Sequence, residues 1–304
     1  MRVGWVGRKT TENRGWGHQI KMNKYLWCLI LGLVILLTSS VAGCKNPLYI
    51  YEDGKVLVGG DGEPIELINN PNATNPTYEE LVAFIQQDTT DTNDYLEHPR
   101  IGYVCADFAE DVHNNAEAAG IRAAWVSLHN EGSDKGHACN AFDTIDMGLV
   151  YIDCTGQRFS DKLNFRLVET EEGFSFVSDS PTSWDAIAYA EIGKEYGLIP
   201  ITKAKALTYS FYEEYTQKWQ EYRELLNNFN NEVTQFNQEI EGKTYHKGSS
   251  ELARIEAWKA DLERQGELLD KLSEELGNVW LEPKGIVKDI NIHWGRKSKK
   301  LSKA

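Results

Sequence analysis

Cysteine is scarce in this chain: five in 304 residues, at positions 28, 44, 105, 139 and 154, with no C-x-x-C pair among them. That spacing argues against a structural zinc site. Basic residues are also in deficit, 32 Lys and Arg against 46 Asp and Glu, for a net charge of −14. Residues 1–43 carry +5 of their own (Arg2, Arg8, Lys9, Arg14, Lys21 and Lys24 against Glu12), which leaves −19 on the remainder. A body that acidic excludes nucleic acid as a partner, because phosphates demand Lys and Arg. The acidic run Asp88 to Asp94 lacks the spacing and the distal glutamate of a calcium loop and reads as a solvated loop. No metal or organic cofactor is implied. With 41% hydrophobic and 11% aromatic residues, there is material for a real core.

The amino terminus sets the expected compartment. Lys21 and Lys24 precede an apolar run, Tyr25 to Leu37, followed by small residues and Val41-Ala42-Gly43-Cys44. Basic flank, short apolar stretch and small residues describe a secretory signal, and Met22 is the expected start of it. An uncleaved membrane anchor is the alternative. Both readings place the body outside the cytoplasmic membrane. The last four residues resemble the lipobox of bacterial lipoproteins, a resemblance that implies lipidation of Cys44. Cys105, Cys139 and Cys154 then remain in the body, an odd number that leaves at least one thiol unpaired within the chain.

Five segments follow from patterning. Residues 1–43 are the signal. Residues 44–76 hold a small hairpin turning at Asp53-Gly54, then an Asn- and Pro-rich linker. Residues 77–204 form the main domain, opened by a helix over Tyr78–Gln87 that Thr77 and Glu80 close as a capping box. Cys105 begins the next helix, which buries Phe108, Val112, Ala116 and Ala119 and stops at Gly120. Strands are expected over Ile121–Leu128, His137–Ile145 and Leu149–Thr155. Residues 205–278 show spacings of three and four from Tyr212 to Ile240 (including Trp219, Phe229 and Phe236), then a second apolar series from Leu252 to Leu276. That is the seam of an antiparallel coiled-coil hairpin. The pairing can be made within one chain or with a coiled-coil partner. Residues 279–304 hold a strand, Gly285–Ile292, and a basic tail, Arg296–Lys300. The fold class is therefore α+β, a helix packed on an antiparallel sheet with a helical arm.

Cys105, His137 and Asp153 stand in order on helix, strand and strand. A thiol at a helix start is favoured as thiolate by the first turn's unpaired N–H groups. An imidazole can take its proton, and a carboxylate can fix the imidazole tautomer. His113 lies too far down the helix from Cys105 to serve, and His129 falls in the loop that follows the first strand.

Tyr103-Val-Cys105-Ala-Asp-Phe108, Ala119-Gly-Ile-Arg122, Gly136-His-Ala138 and Tyr151-Ile-Asp-Cys-Thr155 resemble the core of the transglutaminase-like superfamily, relatives of papain-type cysteine proteases. The resemblance implies Cys105 as nucleophile, His137 as base then acid, and Asp153 as orienting group. It also implies an oxyanion held by the Cys105 N–H, with Tyr103 as a second donor. Cys139 and Cys154 stand where members often carry Trp and Pro. The expected function is an exported, lipid-anchored thiol acyl-transfer enzyme that hydrolyses an amide of a peptide or protein substrate. The alternatives are transglutaminase-type cross-linking and a catalytically silent scaffolding module of the envelope.

Register provides an internal constraint. His137 and Asp153 share a sheet face only if paired residue numbers sum to an even value, near 294, as a three-residue turn gives. A sum of 293 would set Cys139 opposite Cys154 and invite a disulfide. The even sum is expected, with Cys139 and Cys154 on opposite faces and unbridged. It leaves Asp153 opposite about Ala141, some four residues along from His137.

Overall fold

The computed structural model describes residues 47–133, 136–156, 165–170, 173–178, 183–277, 279–295 and 297–302. The expected secretory signal, the expected start at Met22 and Cys44 lie outside the described residues. Residues 47–232 with 263–302 make one compact unit and residues 233–262 a second.

The elements of the first unit begin with four two-residue strands, β1 (Leu48–Tyr49), β2 (Tyr51–Glu52), β3 (Lys55–Val56) and β4 (Glu66–Leu67). β2 and β3 form the expected hairpin, with Glu52 opposite Lys55 and a two-residue turn at Asp53 and Gly54, both at positive φ. Helix α1 (Tyr78–Ile85) starts at the Thr77 capping box with Glu80. The acidic loop is not the solvated segment that its composition suggests. Asp91 is buried and accepts the Trp184 N–H at 2.8 Å, while Asp88 accepts from Thr90 and Asn115. Burial is tolerated because each of these carboxylates has a donor.

Helix α2 (Cys105–Ala118) lies against β5 (Ala124–Asn130) and β6 (Gly136–Thr144), and β7 (Gly148–Asp153) follows β6 in the sheet. After β7 come β8 (Phe165–Thr170) and β9 (Gly173–Ser178), which pair with each other, then β10 (Ala186–Tyr189) and β11 (Gly197–Pro200). The long helices are α3 (Tyr209–Ile240) and α4 (Ser250–Leu276), and β12 (Val287–Trp294) and β13 (Lys297–Ser302) close the chain. Seven strands form one antiparallel sheet in the order β11-β10-β7-β6-β5-β12-β13. The basic segment read as a tail is thus an edge strand. Residues 279–302 complete the sheet beside β5 instead of standing apart.

One sheet face, with Phe142, Val150 and Ile152, packs on α1, α2 and the start of α3. The other, with Cys139 and Ala141, packs on Tyr196, Leu198, Leu281 and Val287. Ala119 proves exposed, and α2 buries Ala109, His113 and Glu117 beside Phe108, Val112 and Ala116, a wider stripe than expected. Glu117 can be buried because its carboxylate accepts the Asn70 and Ala123 N–H groups at 2.8 and 2.9 Å.

α3 and α4 pack together along the expected seam. In the first unit, Tyr215 Oη donates to the Leu276 carbonyl at 2.6 Å and Lys218 pairs with Glu275 at 3.0 Å. Trp219 meets Tyr222 and Trp280 edge-on. In the second unit, Phe236 meets Trp258 edge-on and Arg254 pairs with Glu239 at 2.9 Å. Falling numbers on one helix against rising numbers on the other make the pairing antiparallel.

His113 yields a prediction. It is fully buried, neither ring nitrogen has a hydrogen-bond partner among the described residues, and burial pushes its pKa down to about 4. The unfolded chain takes up this proton near the usual value of about 6.5 and the folded one does not, so stability falls as pH drops from about 6.5 to 4, by about 3 kcal/mol. His113→Leu is expected to remove that part of the acid sensitivity, measured as urea midpoints at several pH values. An unchanged pH slope would contradict the reading.

Candidate active site

The site is assembled where β6 outruns β7. The last recorded β6–β7 pair is Asn140↔Ile152, and the paired numbers sum to 292 along the ladder. The parity is the expected one, and Cys139 and Cys154 are both free and buried on opposite faces. The sum is smaller by two than expected, because the turn is Ile145 to Met147. That slip sets Asp153 level with Cys139, two residues from His137 instead of four. His137 and Asp153 share the face that holds Tyr196, and His137 Nε2 lies 2.7 Å from Asp153 Oδ2.

Cys105 reaches the same point from the other side of the sheet. It is the first residue of α2, after the extended Val104. The helix start is fixed by Asp107, whose Oδ2 accepts the Val104 N–H at 2.7 Å and the Gly60 N–H at 2.8 Å. Gly60 and Gly102 touch backbone to backbone there: a Cβ on Gly102 would sit 2.3 Å from the Gly60 oxygen. Cys105 is partly buried against Ile50, Trp125 and Ala138. The His137 side chain and the Ala138 backbone N–H are the neighbours that favour its thiolate.

Tautomer follows from distance. A ring nitrogen 2.7 Å from a carboxylate oxygen must carry a proton, since two acceptors would repel. Nε2 therefore donates to Asp153, and Nδ1 is the nitrogen left to face the thiol.

Two residues that the sequence did not single out complete the site. Tyr196 Oη donates to Asp153 Oδ2 at 3.1 Å and its ring meets the His137 ring edge-on, centroids 5.2 Å apart. Lys284 Nζ lies 3.1 Å from Asp153 Oδ2 and 3.2 Å from His137 Nε2. The Thr155 N–H satisfies Asp153 Oδ1 at 3.0 Å. Nothing in the local pattern Glu282-Pro-Lys-Gly285 marks that lysine, which is 131 residues from Asp153.

Electrostatics agree with the geometry. Burial pushes the Asp153 carboxyl up, but Lys284, His137 and the Thr155 side chain outweigh it and hold the group well below the usual range. Burial also raises the Cys105 thiol, and His137, the Ala138 N–H and Lys284 together bring it below the ordinary value. His137 is lowered by burial and by Lys284 but raised more by Asp153 and Cys105, so it ends above its ordinary value. Burial drives Cys139 and Cys154 the other way, up. Among the three described thiols, Cys105 alone is poised to ionise.

The other candidates lie elsewhere. The Tyr103 N–H donates to the Leu96 carbonyl at 2.8 Å and its hydroxyl donates to Asp111, so both its donors are engaged. His129 stands in β5, not in a loop, with Nδ1 2.8 Å from Asp289 Oδ1 and Nε2 3.6 Å from Glu52. Glu52 also binds Ser127, Asn291 and His293, which clamps β2 to the sheet. Among the described residues, no group of three or more His, Cys, Asp and Glu is placed to hold a metal ion. No helix of the described residues is long and apolar enough to cross a membrane. Comparison with protein-family models, curated proteins and solved structures gives no match.

Proposed function

We propose that this chain is a thiol acyl-transfer enzyme of transglutaminase-like (papain-like) architecture, exported and held at the membrane by a lipidated Cys44, that hydrolyses an amide bond of a peptide or protein substrate. The observation that carries the proposal is the His137–Asp153 pair, 2.7 Å apart, beside a Cys105 at the first turn of α2 whose thiolate His137 favours.

The steps follow from these groups. The Cys105 thiolate attacks the amide carbonyl carbon, and the oxygen takes up the electron pair in a tetrahedral intermediate. The Cys105 N–H, one of the first-turn donors that lack an intrahelical acceptor, stabilises that oxygen. Imidazolium Nδ1–H protonates the leaving amine, which departs and leaves a thioester. Neutral His137 then removes a proton from water, hydroxide attacks the thioester carbon, and the carboxylic acid leaves as thiolate and imidazolium reform. Asp153 keeps Nε2 protonated throughout. Water is preferred over an amine as acceptor because it needs no second binding site.

The test is a panel of fluorogenic peptide amides, with and without an added primary amine. The full chain is expected to release amine from at least one of them. Cys105→Ala should lose the activity by about a thousandfold or more, as loss of a covalent nucleophile does. Incorporation of the added amine into a glutamine peptide would move the assignment to cross-linking. Turnover equal in wild type and Cys105→Ala would refute the proposal.

A further inference from the structure

The ammonium of Lys284 has no place in a plain three-residue relay, yet it is built into this one. Its backbone is fixed on both sides. The Lys284 N–H donates to the Tyr196 carbonyl at 3.1 Å, and the Tyr196 N–H donates to the Gly285 carbonyl at 2.8 Å. Asn130 Nδ2 holds the Lys284 carbonyl from the end of β5. This small backbone pair delivers two side chains, Tyr196 and Lys284, to the same oxygen, Asp153 Oδ2. The Lys284 side chain is one-third exposed, whereas Asp153 is almost wholly buried.

A cation at that point opposes the usual role of the carboxylate. Asp153 favours imidazolium, and an ammonium 3.2 Å from Nε2 disfavours it. The charged and titratable groups facing the imidazole are Cys105 from α2, Asp153 from β7, and Lys284. Tyr196 and Cys139 are the others there, and burial keeps both protonated. While Cys105 is a thiolate, it supports the imidazolium. Once Cys105 is acylated, that support disappears and the ammonium remains.

On the reading of this site as a thiol acyl-transfer centre, we infer that Lys284 is a positioning residue. Its charge discharges the imidazole, which Asp153 holds as the Nε2–H tautomer, to the neutral, basic form for attack by water on the thioester. The same charge favours the thiolate before acylation, so Lys284 serves both half-reactions. In the first it supports the nucleophile, and in the second it frees the base.

The test is alkylation of the full chain by iodoacetamide across pH, read at Cys105 by peptide mass spectrometry, for wild type, Lys284→Met, Lys284→Gln and Lys284→Arg. Removing the charge is expected to shift the acid inflection of Cys105 upward by about one pH unit, with Arg keeping it near wild type. A purely structural lysine would change rates at every pH and leave the inflection in place. Folded Met and Gln variants with an unmoved inflection would overturn the role of Lys284 and spare the triad. A wild-type Cys105 no more reactive than Cys139 would instead overturn the triad itself. Nitrogen NMR of His137 in the unmodified chain needs no variant: Nε2 should stay protonated in the neutral ring. Protonation at Nδ1 would overturn the inference.

Discussion

At about pH 6, iodoacetamide is expected to modify Cys105 at least about a hundredfold faster than Cys139 or Cys154. An ordinary thiol, with a pKa of about 8.5, is less than about 1% ionised there, and burial raises the two neighbours further. Cys105 starts from the same chemistry and ends below it, because His137, the Ala138 N–H and Lys284 all favour the anion. A low-pKa thiolate is a weaker nucleophile than a high-pKa one, which trims the advantage without cancelling it. His137→Ala should remove most of it. Peptide mapping after brief labelling gives the three rates in one experiment, and equal slow labelling would mark Cys105 as a structural residue.

The second large effect concerns Asp153. Its two oxygens take four donors, from His137, Tyr196, Lys284 and Thr155. Asp153→Ala would leave the Lys284 ammonium beside a buried imidazole with no counter-charge, and breaking a buried ion pair from one side costs about 3–5 kcal/mol. Urea unfolding of the variant is expected to show a loss near the lower value, since Lys284 can turn toward solvent. Asp153→Asn keeps the volume and should lose less stability. It should still slow Cys105 chemistry by about a thousandfold or more, because an amide can present its N–H to Nε2 and favour the wrong tautomer. The wild-type contribution also has a pH window. The folded carboxyl is depressed, so its stabilisation is complete above about pH 4 and is lost as pH falls toward the folded value. A variant as stable and as reactive as wild type would contradict the assignment.

The three candidate residues were legible in the sequence because each sits at a position with its own physical signature. Cys105 follows an extended residue and opens an amphipathic helix. His137 and Asp153 lie on two strands whose parity decides whether they can meet. The same parity separates Cys139 from Cys154. The exact pairing sum was out of reach, since Ile145–Met147 and Asp146–Gly148 are equally short turns, and the choice between them rests on contacts such as the Asp146 carboxylate accepting the Tyr78 N–H at 2.8 Å. The seam of α3 and α4 was legible for the opposite reason: its pattern repeats many times. Strands β10, β11 and β13 were missed, whereas β12 overlaps the expected strand Gly285–Ile292. β10 and β11 are four residues each, and the lysines of β13 look like a solvated tail until the backbone pairs with β12. Lys284 and Tyr196 depend on two distant segments pairing backbone to backbone, and no local pattern encodes that.

The most direct test of the central claim is the ultraviolet thiolate absorbance of the full chain, titrated with acid and corrected with Cys105→Ala. The account predicts a thiolate signal that persists well below the ordinary thiol range and disappears in His137→Ala at the same pH. A Cys105 that ionises only near or above about 8.5, with or without His137, would contradict it.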